Sequence, residues 1–136
     1  MIQDRTLLLA IGTNSHSWNH IRRAKRLIQE AFPSLVVFSS IVVTAPIGID
    51  GKSFRNCLAT MLTDLSFEEV NVRLKQIETL CDNSVEKRAQ GIVEMDIDIL
   101  LHKGKRYHEK DWERPYIHQL LPEILPTDFI FPNRTS

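Results

Sequence analysis

Residues 95–101 read Met95-Asp96-Ile97-Asp98-Ile99-Leu100-Leu101, an alternating apolar and acidic stretch that ends in two leucines. Alternation with a period of two predicts a strand, because successive side chains on a strand point to opposite faces. The three apolar residues before the leucines, Met95, Ile97 and Ile99, should face the core. Asp96 and Asp98 should project together from the opposite face, about 6.5 to 7 Å apart. Aspartate is disfavoured in strands, so this pair calls for a partner or a cation.

The segments before this strand alternate between strand and helix patterns. Apolar, β-branched runs at residues 5–11, 35–43 and 54–62 predict three more strands. Apolar residues at intervals of three and four predict amphipathic helices over residues 17–31 and 66–80. Ser66 and Glu69 have the spacing of a capping box at the start of the second helix. The order β-α-β-β-α-β predicts a ferredoxin-like α+β fold, an antiparallel sheet with two helices on one face.

The rest of the chain predicts short elements that belong to the same unit. Lys103-Gly104 predicts a turn into a short hairpin strand at residues 105–108. Beyond Trp112, four prolines among apolar residues predict short helical turns and extended pieces packed against the domain. Because the chain has 136 residues and shows no repeat or linker, we expect one domain covering residues 1–136.

Composition narrows the classes of partner. Seventeen basic and seventeen acidic residues leave no net charge, so there is no global field to attract nucleic acid or an anionic membrane. The apolar runs are far shorter than the roughly 20 residues that span a bilayer, and the acidic start of the chain does not resemble a secretory signal. Cys57 and Cys81 lack metal-ligand spacing and predict free thiols. These features predict a cytoplasmic protein without nucleic-acid or membrane partners.

The aspartate pair is the strongest candidate for chemistry. Mg²⁺ prefers oxygen ligands and needs only one or two protein carboxylates when it also binds nucleotide phosphates. Two such ions, about 3.5 to 4 Å apart, would clamp a transferring phosphoryl group. Glu78, late in the second helix, is a candidate third carboxylate, and an exposed helix residue is the alternative. For Asp96 and Asp98 the alternative is the solvated face of an amphipathic strand.

Four segments in order resemble the 6-hydroxymethyl-7,8-dihydropterin pyrophosphokinase family. They are Gly12-Thr13-Asn14, Thr44-Ala45-Pro46-Ile47-Gly48, Phe54-Arg55-Asn56 and the stretch at 95–101. Their order and spacing resemble that family over residues 5–126. The resemblance implies a ferredoxin-like fold and a transfer of pyrophosphate from ATP to the hydroxymethyl group of a pterin. It also implies two Mg²⁺ ions and a role in folate biosynthesis.

The resemblance further implies a role for each matching residue. Asp96 and Asp98 would ligate both Mg²⁺ ions, and Glu78 would lie near the metal and nucleotide. Phe54 would stack on the pterin, and Asn56 would hydrogen-bond its edge. The remaining pocket residues, partly through their backbone groups, would be Thr44, Pro46, Ile47 and Gly48. Independently, an aromatic platform beside an amide suits a flat heterocycle; a core aromatic is the alternative for Phe54.

The sequence departs from the family on the nucleotide side. Where the family has an arginine three residues before the first aspartate, this chain has Val93. Lys87 and Arg88 are the nearest replacements as phosphate ligands, and solvated loop charge is the alternative. The family's Pro-His segment is shortened, which leaves Arg114 as a candidate phosphate ligand. Tyr116 would take the place either of the lost histidine or of the second aromatic that sandwiches the pterin.

These departures keep other functions open. A pterin-binding or regulatory protein of the same fold that has lost ATP use is the first alternative. A ferredoxin-like nucleic-acid binder would need a basic surface and exposed sheet aromatics, and neutral charge argues against it. An interaction module that binds no small ligand is the third alternative function. The five histidines show no metal spacing, and we expect only His118 to lie near the site.

Overall fold

A six-stranded antiparallel sheet forms the centre of the protein. The computed structural model describes residues 5–14, 18–44, 53–81, 86, 89–90 and 95–125. The strands are β1 (Thr6–Thr13), β2 (Val37–Phe38), β3 (Val42–Thr44), β4 (Phe54–Leu62), β5 (Asp96–His102) and β6 (Lys105–Arg106). Their order is β2-β4-β1-β5-β6, and β3 also pairs with β4. The predicted ferredoxin-like α+β fold is therefore confirmed.

Helices cover both faces of this sheet. Helix α1 (Trp18–Ala31) and helix α2 (Phe67–Leu80) pack on one face, in a core that contains Leu7, Ile28 and Leu74. A 3-10 helix (Glu109–Glu113) and helix α3 (Pro115–Ile124) supply the apolar residues that pack on the other face. No helix in the described part of the chain is long and apolar enough to cross a membrane. The 3-10 helix and α3 thus form a further layer, in addition to the two predicted helices. The sequence predicted this layer only as short helical turns and extended pieces.

The predicted second strand is wrong as a continuous element. Residues 37–44 contain the two short strands β2 and β3, whose pairing with β4 shifts by one residue between Phe38 and Val42. Ser39 lies in this break, where its N–H donates to the carbonyl of Leu58 at 2.9 Å and its Oγ accepts from the Leu58 N–H at 2.8 Å. Because a serine side chain replaces part of the ladder, β-branched neighbours alone do not reveal the interruption.

A β-bulge in β5 explains its two consecutive leucines. Leu9 pairs with Ile99 and Leu8 with Leu101, so Leu100 is the extra residue on β5. The bulge reverses the alternation, and Leu100 and Leu101 both pack against α3. Residues before the bulge keep the predicted pattern, since Ile97 and Ile99 face the α1–α2 core.

Local signals account for the helix starts. Ser66 accepts from the Glu69 N–H at 3.1 Å, and the Glu69 carboxylate accepts from the Ser66 N–H at 3.0 Å, so the capping box is confirmed. Helix α3 begins with Pro115 at its first position, where a missing N–H is harmless. Pro122 lies inside α3, which is why the sequence predicted broken pieces there.

Leu120→Ala is expected to lower the free energy of unfolding by about 2–5 kcal/mol. Leu120 is fully buried in the core between α3 and the sheet, so the substitution leaves a cavity. Urea unfolding monitored by circular dichroism measures the change. Leu35→Ala is the matched control, because Leu35 is 79% exposed. Equal loss in both variants would contradict the packing of α3 on the sheet.

Candidate functional site

The face of the sheet that carries α3 contains a cavity of about 510 Å³. Small residues of β1 form its floor, because Ala10 pairs with Asp98 and Gly12 pairs with Asp96. The side chains around this floor come from β3, β4, β5, the 3-10 helix and the start of α3. They belong to Thr44, Phe54, Asn56, Asp96, Asp98, Asp111, Arg114, Pro115 and Tyr116.

Gly12 leaves room for the residues beside it. A Cβ at this position would lie 3.0 Å from Asn56 Oδ1 and 3.6 Å from Phe54 Cδ1. Asn56 is buried and its Nδ2 donates to Thr44 Oγ1 at 2.8 Å. The glycine therefore permits a close approach between β1 and the amide of Asn56, and the hydrogen bond to Thr44 orients that amide.

Asp96 and Asp98 line the cavity from β5, as the alternation predicted. Both side chains are half-buried, and Met95, Ile97 and Ile99 are buried on the opposite face. Burial, together with repulsion from Asp96, raises the pKa of Asp98 to about 6. The pair is thus a site where two carboxylates are held at an electrostatic cost that a cation would relieve.

Glu78 lies outside the lining of this cavity but contacts the strand that carries the pair. Its Oε2 accepts from the backbone N–H of Ile97 at 2.8 Å, and its Oε1 lies 3.3 Å from Lys75 Nζ. Only 4% of Glu78 is exposed, so the alternative of an exposed helix residue is wrong. Its nucleotide-binding role stays a prediction.

A second group of polar and charged side chains, which includes Asp111 and Arg114, lies opposite β5. Arg114 Nε donates to Asp111 Oδ1 at 3.1 Å. His108 Nε2 lies 3.9 Å from Asp98 Oδ1, and His108 Nδ1 lies 4.0 Å from Asp111 Oδ2. The histidine thereby lies between the carboxylate of β5 and that of the 3-10 helix. His118, by contrast, is exposed on α3 and does not line the cavity. The expectation that only His118 would lie near the site is wrong, because His108 lies beside Asp98.

Two aromatic side chains line the cavity. Phe54 comes from the first residue of β4 and is half-buried. Tyr116 comes from the first turn of α3, where burial raises the pKa of its hydroxyl to about 12. Because both rings border the same space as Asn56, the alternative of a plain core aromatic does not describe Phe54.

The structure brings together most of the predicted site. The predicted residues that line this same cavity are Thr44, Phe54, Asn56, Asp96, Asp98, Arg114 and Tyr116. Five others lie outside the described residues: Pro46, Ile47, Gly48, Lys87 and Arg88. Their roles stay predictions from the resemblance.

Sequence reasoning missed Asp111 and His108. Both lie in the charged segment His108-Glu109-Lys110-Asp111, which looks like ordinary solvated surface. The one useful signal was Pro115 after Arg114, because proline at a first helical position marks where a helix begins. This signal marks Arg114 as the residue before a helix, but it does not indicate that the helix start and the preceding 3-10 turn lie near β5.

Comparison with known proteins agrees with this geometry. The model of the family described as 7,8-dihydro-6-hydroxymethylpterin-pyrophosphokinase (HPPK) matches residues 8–126. The chain belongs to this family. A folate synthesis bifunctional protein of Arabidopsis thaliana is 27% identical over 134 residues, which cover 91% of this chain and 28% of that protein. The chain therefore spans less than a third of the length of this relative.

The donor set in the cavity fits the Mg²⁺ that the HPPK family implies. Asp96 and Asp98 present carboxylate oxygens, the ligands that Mg²⁺ prefers, from one strand face. Burial, together with repulsion from Asp96, raises the pKa of Asp98, and a bound dication would offset this cost of ionising the pair. Asp111 adds a third carboxylate on the facing wall.

Asp98→Asn is expected to stabilise the cation-free protein at pH 8 by about 1 kcal/mol. The pKa of Asp98 is about 6 in the folded protein, against about 3.9 in an unfolded chain. The folded state therefore binds the proton more tightly, and the contribution of this carboxyl to stability falls as pH rises from about 4 to about 6. The full shift would correspond to almost 3 kcal/mol; we discount it because a third of the side chain is exposed.

Urea unfolding in EDTA at pH 4, 6 and 8 measures this difference between variant and wild type. The gain should be near zero at pH 4 and largest at pH 8. Glu109→Gln, at an exposed acid of the 3-10 helix, is the control and should show no such trend. A gain for Asp98→Asn that does not vary with pH would contradict the raised pKa of Asp98 that burial and the neighbouring Asp96 produce.

Proposed function

We propose that the chain transfers pyrophosphate from ATP to the hydroxymethyl group of 6-hydroxymethyl-7,8-dihydropterin. The proposal depends above all on one observation: the aspartate pair, an oriented amide and two aromatic rings border the same cavity. Membership of the HPPK family supports this reaction. The name of the Arabidopsis relative, which refers to folate synthesis, supports a role in folate biosynthesis.

The pterin is assigned to the side of the cavity formed by β3, β4 and α3. Phe54 and Tyr116 would enclose its ring, and the Asn56 amide, held by Thr44, would read its donor and acceptor edge. The residues proposed to complete this pocket, all from the segment between β3 and β4, are Pro46, Ile47 and Gly48. A flat heterocycle suits such a site, because stacking supplies affinity and the amide supplies orientation.

ATP is assigned to the side of the cavity that carries the carboxylates. Asp96 and Asp98 would hold two Mg²⁺ ions with the nucleotide phosphates. When bound, these ions would neutralise charge on the transferring group. Arg114, together with Lys87 and Arg88 from the segment before β5 in the sequence, would contact the phosphates, and Glu78 would act from behind β5.

In this mechanism the chain positions the reactants. Phe54 and Asn56 would hold the pterin so that its hydroxyl faces the β-phosphorus of ATP in line with the leaving group. Asp96 and Asp98 would fix the charge that opposes the developing negative charge on the phosphoryl oxygens. The reaction needs no protein nucleophile, because the pterin hydroxyl itself attacks.

The test is release of AMP from Mg-ATP with and without 6-hydroxymethyl-7,8-dihydropterin. The double variant Asp96→Ala/Asp98→Ala is the control. AMP that requires the pterin and disappears in the control would support the pyrophosphokinase. Absence of AMP under every condition, with pterin binding intact, would overturn it.

A pterin-binding protein without ATP use is the second candidate, and two observations favour it. Arg114 is engaged by Asp111, and Val93 stands where the family carries an arginine. Both features reduce the positive charge available to a triphosphate. Calorimetry separates the two functions, because this candidate would bind the pterin alone and the pyrophosphokinase would bind Mg-ATP as well. The single domain over residues 1–136 and the cytoplasmic location remain predictions from the sequence.

A further inference from the structure

Glu78 is a buried carboxylate that does not line the cavity. Its hydrogen bond to the Ile97 N–H connects it to the strand segment that carries Asp96 and Asp98. Glu78 lies in the last turn of α2, on the face of the sheet opposite Asp96 and Asp98. Ionised groups are buried in proteins only where hydrogen bonds or charges compensate for lost water. Here the compensation comes from the Ile97 N–H at 2.8 Å and from Lys75 Nζ at 3.3 Å.

The Ile97 amide belongs to the backbone segment that joins the two aspartates. On one side of this segment β5 pairs with β1, where Asp96, Ile97 and Asp98 lie opposite Gly12, Ile11 and Ala10. On the other side β6 pairs only with Leu101 and His102. Among the described residues, the edge of β5 at Ile97 is therefore covered by the Glu78 carboxylate in place of a strand.

The backbone segment that carries Asp96 and Asp98 is therefore hydrogen-bonded at both edges of β5. Successive residues of a strand direct their N–H groups to alternate edges, so the amides that flank Ile97 point toward β1. The middle amide points toward α2, where Glu78 receives it. Movement of Glu78 would release the centre of the segment and change the separation and direction of the carboxylates of Asp96 and Asp98.

We propose that Glu78 is a positioning residue that sets the geometry of Asp96 and Asp98 for divalent cations through the backbone of Ile97. The inference rests on the proposed function, because it assigns cation binding to the pair. It assigns Glu78 an indirect role in cation binding in place of the direct nucleotide contact that the resemblance implied. Hydrogen-bond partners behind metal-binding carboxylates have large effects on affinity, since they fix the orientation of the ligands.

The experiment measures Mn²⁺ binding by electron paramagnetic resonance in the presence of ATP, with Mn²⁺ as the probe in place of Mg²⁺. Glu78→Ala is expected to weaken Mn²⁺ binding about tenfold or more. Glu78→Asp should do the same, because its shorter side chain withdraws the acceptor from the Ile97 N–H. Glu78→Gln keeps an acceptor oxygen of the same reach and should retain most of the affinity.

Two variants of α2 are matched controls. Lys75→Ala removes the partner of Glu78 Oε1 and leaves the bond to Ile97 in place. Ile77→Val trims a buried side chain of the same helix without touching β5 hydrogen bonds. Both should bind Mn²⁺ like wild type. Hydrogen exchange at the Ile97 amide, followed by NMR without metal, should be faster in Glu78→Ala and Glu78→Asp and unchanged in both controls.

Wild-type Mn²⁺ affinity in Glu78→Ala and Glu78→Asp, or an equal loss in Ile77→Val, would overturn the proposal. Should Glu78→Ala fail to fold, Glu78→Asp and Glu78→Gln still give opposite expected results. If wild type binds no Mn²⁺ with ATP, the proposed function itself fails, and that result is distinct from the variant comparison. Unchanged exchange at Ile97 in Glu78→Asp would remove the structural basis of the inference.

Discussion

Asp98→Ala is expected to reduce pterin-dependent AMP release by about a thousandfold or more, which corresponds to about 4 kcal/mol of transition-state stabilisation. Asp96→Ala should have an effect of the same order. The two carboxylates lie side by side at the floor of the cavity, and each would ligate the ions that neutralise the transferring group. Removal of either one leaves a single ligand where the proposed mechanism needs two.

These two variants should keep the fold, because both side chains are only half-buried and project away from the α1–α2 core. Steady-state AMP release, with circular dichroism as the check on folding, measures the effect. Glu109→Gln is the matched control, since it removes an exposed acid from the neighbouring 3-10 helix. Full activity in either aspartate variant would refute the metal assignment.

Phe54→Ala is expected to weaken pterin binding by roughly 1–3 kcal/mol, or about 5- to 150-fold, the usual contribution of a base stacked on an aromatic ring. The loss should appear in the KM for the pterin and in the calorimetric Kd, with a smaller change in the KM for ATP. Phe67→Ala is the control. Phe67 stacks on Tyr107 at 4.6 Å between ring centroids and packs on the α1–α2 core. Equal loss of affinity in this control would contradict the stacking role of Phe54.

Two variants of Tyr116 distinguish the two roles that the resemblance left open for this residue. If its ring sandwiches the pterin, Tyr116→Phe should keep the Kd for the pterin near the wild-type value, and Tyr116→Ala should raise it as much as Phe54→Ala does. If its hydroxyl replaces the family's lost histidine, Tyr116→Phe should instead lower kcat and leave the pterin Kd unchanged. The proposed pterin pocket uses the first role, since Tyr116 borders the same cavity as Phe54.

The facing charges of Asp111 and Arg114 bear on how the nucleotide is received. An arginine that already donates to a carboxylate must exchange that partner for a phosphate, and the freed carboxylate then lies near the phosphate charge. Bound cations would offset this repulsion. If the chain has the proposed function, ATP binding should therefore depend strongly on divalent cations.

Local pattern determined the described elements that precede β6, except for the break that divides the predicted second strand into β2 and β3. The alternation of 95–101 was sufficient to place Asp96 and Asp98 on one face, because side-chain direction on a strand depends only on residue order. Ser66 and Glu69 marked the start of α2 for a similar reason, since a capping box lies within four residues. The order of these elements was then enough to predict the fold class.

The local pattern of the sequence did not bring distant residues to the site. Arg114 and Tyr116 were predicted only from the family resemblance, and Asp111 and His108 were found only in the tertiary structure. Helix α3 packs on the face opposite α1 and α2, and this packing brings Tyr116, Arg114 and Asp111 to the aspartates of β5. The bond from Ile97 to Glu78 likewise joins residues 19 positions apart. Such contacts follow from burial of apolar surface across the whole domain, which leaves no periodic signal at the polar residues that meet as a result.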